Sequence, residues 1–476
     1  MKSFVSIFLP KSLCRAVCLA VFLSGTLTMS FAQNPVPQIV GPTEPMTVAP
    51  GSGAFTLSVY GANFVSGAVV NWNYQPRSTT FVSAHELQAQ ILSTDVEQNT
   101  AGFITVTNPA PGGGDSSSSW AQVEVHDPIT SFTFGKPVVN FWGGWLTLPA
   151  DFNHDTLLDL IGQNGTDLVL SYGKSSGIFQ FASVAGYFYD GSMGGTYGDF
   201  NNDGILDLAY VAGQPASTST QMNIMLGESN GKFYLASQIK GNKPLDNVVA
   251  GDFNRDGNLD LVATSASTNV YLGKGDGTFN HLKDYSFRGA DLVAADLNGD
   301  GILDIAELDT IGEGFSINVY YGKGDGTFLP SAKTVGTVSG VGPCGFLNAL
   351  QVSDLNGDGI PDLVFCTLNQ IGIILGNGKG SFQPPVFINV ENPQFTFAIA
   401  DLNADGKPDL LVSETSNDVF YLYLGNGNGT FQSAQTISFD PAFDGELGMV
   451  VGDFGSKGTL GLAIPSGYST AIYTQH

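Results

Sequence analysis

The sequence of 476 residues predicts an all-β chain, a seven-bladed β-propeller preceded by a small β-sandwich. Three observations carry that expectation: an acidic nine-residue loop recurs about every 50 residues, a glycine-rich turn ending in phenylalanine follows most copies, and short β-branched runs fill the intervals. The balance of 18 Lys+Arg against 43 Asp+Glu, a net charge of −25, excludes nucleic acid and anionic membrane as partners, because both are recognised by clustered cations. Aromatic residues at 11 % argue against disorder, and four cysteines are too few for a disulfide scaffold.

The first 32 residues read as a secretory signal peptide. Lys2, Lys11 and Arg15 precede an apolar stretch of about fourteen residues, and Ser30 and Ala32 supply the small residues of a cleavage site. That stretch falls short of the roughly 18–20 residues that span a bilayer, and no later run is long enough. An exported chain beginning near Gln33 is therefore expected, secreted or held at the cell surface, with a net charge of about −28. Cleavage removes Cys14 and Cys18 and leaves Cys344 and Cys366, either bridged or as two buried thiols.

Residues 36–127 alternate runs such as FTLSVYGANF, AVVNWN, ELQAQI, GFITVTN and AQVEV with turns such as NPAPGGGDSSSS, the texture of a small β-sandwich without acidic loops. From 129 to 476 the repeats take over. The acidic pattern D-x-N-x-D-G-x-x-D places oxygen-bearing side chains at positions 1, 3, 5 and 9. The first copy holds Asp151, Asn153, Asp155 and Asp159, and the second Asp199, Asn201, Asp203 and Asp207. The third holds Asp252, Asn254, Asp256 and Asp260, and the fourth Asp296, Asn298, Asp300 and Asp304. The fifth holds Asp354, Asn356, Asp358 and Asp362, and the sixth Asp401, Asn403, Asp405 and Asp409. A seventh copy, Asp453 to Gly461, keeps the frame but loses the acids.

Beyond most loops comes a turn such as YLGKGDGTF (Tyr271 to Phe279) or YLGNGNGTF (Tyr423 to Phe431). Each repeat thus reads as strand, acidic loop, strand, turn, strand, glycine-rich turn, strand: four strands, repeated seven times. After the seventh loop only two strands remain, while SFTFGKPVVNF (Ser131 to Phe141) resembles the material that follows a glycine-rich turn. This segment is expected to supply the outer strand of the last blade and to cover its open edge.

Four oxygen ligands in one short loop suit a hard divalent cation. The order resembles the first part of an EF-hand loop, with glycine at position 6 for the sharp turn and a main-chain carbonyl at position 7. Asp, Asn and Gly also make good turns, which would explain one such loop but not six with the same four positions. Calcium is the expected ion, at up to six sites, since magnesium demands tighter octahedral geometry. The six loops hold 18 of the 43 acids, so the cation should stabilise the fold by binding only its folded state. Thr156 stands where the first loop should have glycine, which predicts weaker or distorted binding there. Gly455, Lys457 and Gly461 occupy ligand positions of the seventh loop, and Lys457 would put an ammonium at the ion's place, so that loop should bind none.

These loops resemble the FG-GAP/VCBS repeats, best known from the seven-bladed propeller of integrin α-subunits, over roughly residues 129 to 476. The resemblance implies calcium bound in hairpins on one face of the ring and partners docked on another surface. VYGANFVSGAVVNWN and VTNPAPGGG resemble an IPT/TIG immunoglobulin-like domain. Exported bacterial chains of this kind are linked to adhesion and glycan binding, and the repeats also decorate enzymes, some polysaccharide lyases among them. Fold similarity of this kind implies fold and metal more directly than function.

Catalytic motifs are sparse. His85, His126, His154, His281 and His476 form no HExxH or zinc pattern, and His154, at a non-ligand loop position, is expected to face solvent. GKSSG (Gly173 to Gly177) matches G-x-S-x-G formally but sits in the register of the glycine-rich turn, where no helix follows. GKGDG and GNGNG read as hairpin turns rather than dinucleotide loops. Tyr187, Phe188, Tyr189 and Asp190, the segment Gly340 to Leu350, and Trp142 with Trp145 could meet a partner, though ordinary packing between blades is the favoured explanation. The function expected is a non-catalytic platform for a glycan or an extracellular protein, in a monomer. The alternatives are a carbohydrate-active enzyme such as a polysaccharide lyase, which the scarcity of basic residues disfavours, and a structural spacer.

Overall fold

A computed structural model describes residues 33–475, apart from short stretches at 117–118, 130–131, 141–146, 165–166, 176–177, 188–193, 213–220, 241–244, 266, 287–288, 290, 312–313, 331, 340–341, 343, 345–348, 391–394, 415–418, 439–448, 455–457 and 467–468. Residues 1–32, expected to be a signal peptide, and Trp142, Trp145, Phe188, Tyr189, Asp190, Gly455, Lys457 and His476 lie outside the described residues, as does most of the Gly340 to Leu350 segment. Among the described residues the chain is all-β, its single helical element being the 3-10 turn Ser93–Val96, and no helix is long and apolar enough to cross a membrane.

The N-terminal region forms two sheets over a shared core. One orders its strands Gln38–Ile39, Phe55–Ala62, Glu86–Ile91 and Ser78–Ser83. The other runs Thr47–Val48, Ala121–Val125, Thr100–Asn108, Val69–Trp72 and Gln75–Pro76, with Gly114–Asp115 paired to Thr100–Asn108. All five runs read from the sequence are strands, and their alternation decides what is buried: Leu57, Val59, Leu87, Ala89, Ile91, Val70, Trp72, Ile104, Val106, Val123 and Val125 point into one cluster. Trp72 lies so close over Gly102 that a Cβ there would sit 2.2 Å from its ring, which is why this strand position has no side chain.

From residue 138 onward the described residues build seven antiparallel four-stranded sheets. Six are made of successive strands, for example Leu245–Gly251, Asp260–Ser265, Thr268–Gly273 and Phe279–Tyr285 in the third. The last sheet takes Val450–Gly452, Gly461–Ser466 and Ser469–Thr474 from the C-terminus and its outer strand, Val138–Asn140, from the start of the region, with Val139 opposite Ala471.

The repeated phenylalanines hold neighbouring sheets together. The residue at position 2 of an acidic loop packs edge-on against the phenylalanine that ends the glycine-rich turn of the next sheet: Phe152 on Phe233, Phe200 on Phe279 and Phe253 on Phe328, at 6.3, 5.6 and 5.7 Å between ring centres. Phe454 of the last sheet meets Phe179 of the first at 6.0 Å, so the same contact joins the two ends of the series. Main-chain bonds accompany two of these ring pairs, from Gly277 N to Phe200 O and Gly326 N to Phe253 O, and the same bond runs from Gly429 N to Leu355 O where position 2 is leucine. Elsewhere side chains do this work: Tyr321 Oη donates to Gly380 O, and Gln475 Nε2 to Leu402 O. The glycine-rich segments are hairpin turns, as their spacing predicts; Lys274 N donates to Thr278 O across one of them.

Cys344 and Cys366 form a disulfide with Cα atoms 5.3 Å apart. The closed segment contains the whole fifth acidic loop, and a bridge of that span is worth about 3 kcal/mol through the unfolded chain.

Candidate metal loops and the face they share

Each acidic loop is a short hairpin connection wound by its own side chains. In all six, one oxygen of the position-1 aspartate accepts from the main-chain N–H of position 5 and the other from that of position 6; for Asp252 these are Asp256 N at 3.1 Å and Gly257 N at 2.9 Å. The position-3 asparagine oxygen accepts from position 5 as well, and the position-5 aspartate accepts from position 7. Two residues per loop adopt left-handed backbone, at positions 4 and 6. Position 6 is glycine except in the first loop, where Thr156 is held at φ 71°.

The position-9 aspartate does something the spacing did not announce. Asp159, Asp207, Asp260, Asp304, Asp362 and Asp409 are all 0 % exposed. One oxygen of each accepts from the main-chain N–H of position 2 in its own loop, at 2.7–3.1 Å. The other accepts from the glycine that opens the glycine-rich turn, Gly173, Gly227, Gly273, Gly322, Gly376 and Gly425 respectively, at 2.7–2.9 Å. That glycine must lack a side chain because a Cβ would fall 2.0–2.6 Å from the carbonyl oxygen of position 8. The two signatures of the repeat are therefore joined through one buried carboxylate. Gly461 ends the seventh copy without that carboxylate, while Asp453 still accepts from Gly458 N at 2.9 Å.

Burial drives these carboxyls upward, and the other loop acids add to the shift: Asp159 and Asp304 to about 8, Asp207, Asp362 and Asp409 to about 7, and Asp260 well above the carboxylate range. Asp252 is raised to about 7, again chiefly by burial, and the other position-1 acids are raised too. Among the described residues no three His, Cys, Asp or Glu side chains stand together as a ready coordination group, because the loop carboxylates turn onto main-chain N–H groups. Each carboxylate has about four lone-pair positions and spends only some of them this way. The donors are all oxygens, and the ion pair at these loops, Lys407 with Asp405 at 3.5 Å, is exposed. This donor set fits a hard cation.

The N-terminal sheets lie on the face that carries the loops. Tyr74 Oη donates to Asp151 Oδ2 at 2.8 Å, Val36 N to Asp252 Oδ2 at 2.8 Å and Thr47 Oγ1 to Asp401 Oδ2 at 2.7 Å. Asn63 bonds Asp252 O through its amide and Gly301 O through its N–H, and Gln122 Oε1 accepts from Asp453 N. Tyr60 covers Gly359, where a Cβ would meet its ring at 2.6 Å. Three position-1 carboxylates thus receive a hydrogen bond from outside their own repeat. His154 is exposed as expected, yet its ring also packs on Tyr74 with centres 4.8 Å apart.

Over the first two loops the contact opens into a cleft of about 260 Å3, lined by Tyr74, Phe103 and Trp120 and by Asp151, Asp199 and Asn202. His126 and Glu124 pair at 3.1 Å, but both are buried, Glu124 within the strand Ala121–Val125 and His126 just beyond its end. GKSSG begins with the Gly173 that bonds Asp159, and a strand, Phe179–Tyr187, follows it rather than a helix. Tyr187 ends that strand, opposite Asp167.

Four segments, residues 199–263, 252–306, 354–412 and 401–460, match the model of the FG-GAP-like repeat. No curated protein matches the chain. Among solved structures, an Agrocybe aegerita lectin that recognises non-reducing terminal N-acetylglucosamine is 18 % identical, with 78 % of this chain and 95 % of the lectin covered and a TM-score of 0.48. An auxiliary nutrient binding protein from Bacteroides ovatus is 12 % identical, with 94 % and 100 % covered and a TM-score of 0.37. A rhamnogalacturonan lyase is 14 % identical, with 92 % and 91 % covered and a TM-score of 0.39. The matched segments run from the second acidic loop through the fourth and from the fifth into the seventh, so residues 199–306 and 354–460 are similar to FG-GAP-like repeats.

Proposed function

We propose that the protein is an exported, calcium-binding FG-GAP propeller of seven blades, capped by an IPT/TIG-like sandwich, that serves as a non-catalytic binding platform for a glycan or an extracellular protein. The observation that carries the metal is the six-fold recurrence of one donor set in one hydrogen-bonded frame. In each loop the carboxylates at positions 1, 5 and 9, the asparagine at position 3 and the carbonyl of position 7 would hold the ion. When bound, calcium supplies the positive charge that buried carboxylates with raised pKa values lack. The seven four-stranded sheets, with the phenylalanine contact recurring between neighbours and joining the last sheet to the first, support the blade count.

Elemental analysis of the purified mature chain is expected to find up to six calcium ions per molecule, and chelator should lower the melting temperature by many degrees. An unchanged melting temperature with no bound metal would sink the calcium assignment. The platform reading is tested by co-sedimentation with neutral and acidic polysaccharides in calcium. Binding without cleavage products supports it, release of products moves the protein among the lyases, and no binding leaves a protein partner to be sought.

A further inference from the structure

The cleft between the N-terminal sheets and the first two acidic loops is not accounted for by the calcium frame. Its aromatic wall is fixed before any ligand arrives. The rings of Phe103 and Trp120 are stacked, with centres 5.3 Å apart and planes 22° from parallel, and Tyr74 adjoins Phe103 at 5.5 Å. Trp120 Nε1 donates to Tyr197 Oη at 2.9 Å and Tyr74 Oη to Asp151, so neither ring is free to turn. The cleft is also lined by side chains that accept hydrogen bonds, Asp199 and Asn202 from the second loop and the exposed Asp115 from the N-terminal sheets.

These features select a chemical class. A rigid aromatic face beside carboxylate and amide oxygens suits a flat ring with C–H groups on one side and hydroxyl donors at its edge. Among the described residues no lysine or arginine lines the cleft and His154 is its one basic side chain, so a uronate or sulfated sugar would lack the ammonium or guanidinium that pairs with its anion. A quaternary ammonium ligand prefers rings that surround it, and here the rings form a wall rather than a box. The volume of about 260 Å3 is below that of sites for drug-sized ligands and suits one ring. Such sites favour the junction of two structural units, which is where this one lies.

We propose that this cleft binds a terminal residue of a neutral glycan, with one sugar ring against Tyr74 and Trp120, which the buried Phe103 backs, and its hydroxyls donating to Asp115 and the second loop. The proposal rests on the binding-platform reading and narrows it to one place and one class of ligand.

The test is calorimetric titration of the mature chain in calcium with neutral monosaccharides and their methyl glycosides, with glucuronate and galacturonate as acidic arms and choline as the cationic arm. At least one neutral sugar should bind and the uronates should not. Trp120→Ala should weaken that sugar about tenfold or more, an amount in line with the loss of one stacking aromatic. Asp115→Asn, an exposed change that leaves the fold intact, should weaken it several-fold. Choline binding in preference to every sugar overturns the proposal, and so does a sugar whose affinity neither variant alters. Polysaccharide co-sedimentation retained by both variants would leave the platform standing and move its site elsewhere. A wild-type chain that binds neither sugar nor polysaccharide would remove the glycan from both readings.

Discussion

The first and third acidic loops share a hydrogen-bond skeleton yet differ in what covers them. In the third loop Gly257 is buried against Asn34 and Gly112 of the N-terminal region, and Val36 N seals the outer oxygen of Asp252. In the first loop Asn153, His154 and Asp155 are exposed, and the cover is a single tyrosine at the margin of a cleft. The skeleton persists although the first loop has threonine where the third has glycine, at φ 71° against 86°. The side-chain oxygens therefore wind the loop, and glycine only lowers the cost of the winding.

The largest expected effect separates what both loops share from what calcium adds. Asp159 and Asp260 hold folded pKa values far above the roughly 3.9 of an unfolded aspartate. Between those limits the folded chain keeps protons that the unfolded chain has released, so stability falls as pH rises through the window. The chelated protein should melt at steadily lower temperature from about pH 5 to about pH 8, and saturating calcium should flatten most of that slope. A chelated protein equally stable across the window would mean that the position-9 acids are not the strained groups.

Next in size comes the buried staple itself. Replacing Asp260 by alanine removes an acceptor from three main-chain N–H groups, Phe253, Asn254 and Gly273, of which Phe253 also donates to Gly251 O, and replacing Asp159 removes it from two, Phe152 and Gly173. Each loss is worth about 1–3 kcal/mol, so about 3 kcal/mol is expected for either variant in calcium by denaturant unfolding. Equal losses would establish that the open loop is as firmly anchored at its base as the sealed one. A markedly smaller loss for Asp159→Ala would place the weakness of the first loop in the staple rather than the turn.

The cover should matter next. Gly257→Thr puts a β-branched residue at φ 86° with its Cβ 2.8 Å from Asn34 O and 3.0 Å from Gly112 Cα, so about 2–3 kcal/mol should be lost. A loss below about 1 kcal/mol would show that the N-terminal sheets lift from the third loop easily.

How far the sequence discloses this arrangement follows from the range of each interaction. The repeat period, the four strands per unit and the oxygen positions are local and periodic, so they can be read directly. The join between Asp260 and Gly273 is hidden because the two signatures look independent until the strands between them are folded back. The cover is hidden for a different reason. Tyr74, Val36 and Thr47 are single donors that meet acids 77, 216 and 354 residues away, and a lone donor in a strand or turn carries no pattern.

The smallest effect bears most directly on the comparison. Thr156→Gly removes the β-branched residue from left-handed backbone, relief worth on the order of 1–3 kcal/mol, while glycine gives back part of it through the freer unfolded chain. A net gain of about 1 kcal/mol is expected, read as a rise in melting temperature measured both in chelator and in calcium. If the gain is the same in both, the threonine strains the turn without disturbing the ligand oxygens, in keeping with Asp151 Oδ2 accepting from Thr156 N at 2.7 Å, as its counterparts do from glycine. If it is larger in calcium, the strained turn also weakens ion binding, and the first loop is the site that empties first as calcium falls. Because that loop borders the cleft, the second outcome would tie the shape of the Tyr74 wall to calcium concentration, a link that the sealed third loop cannot make.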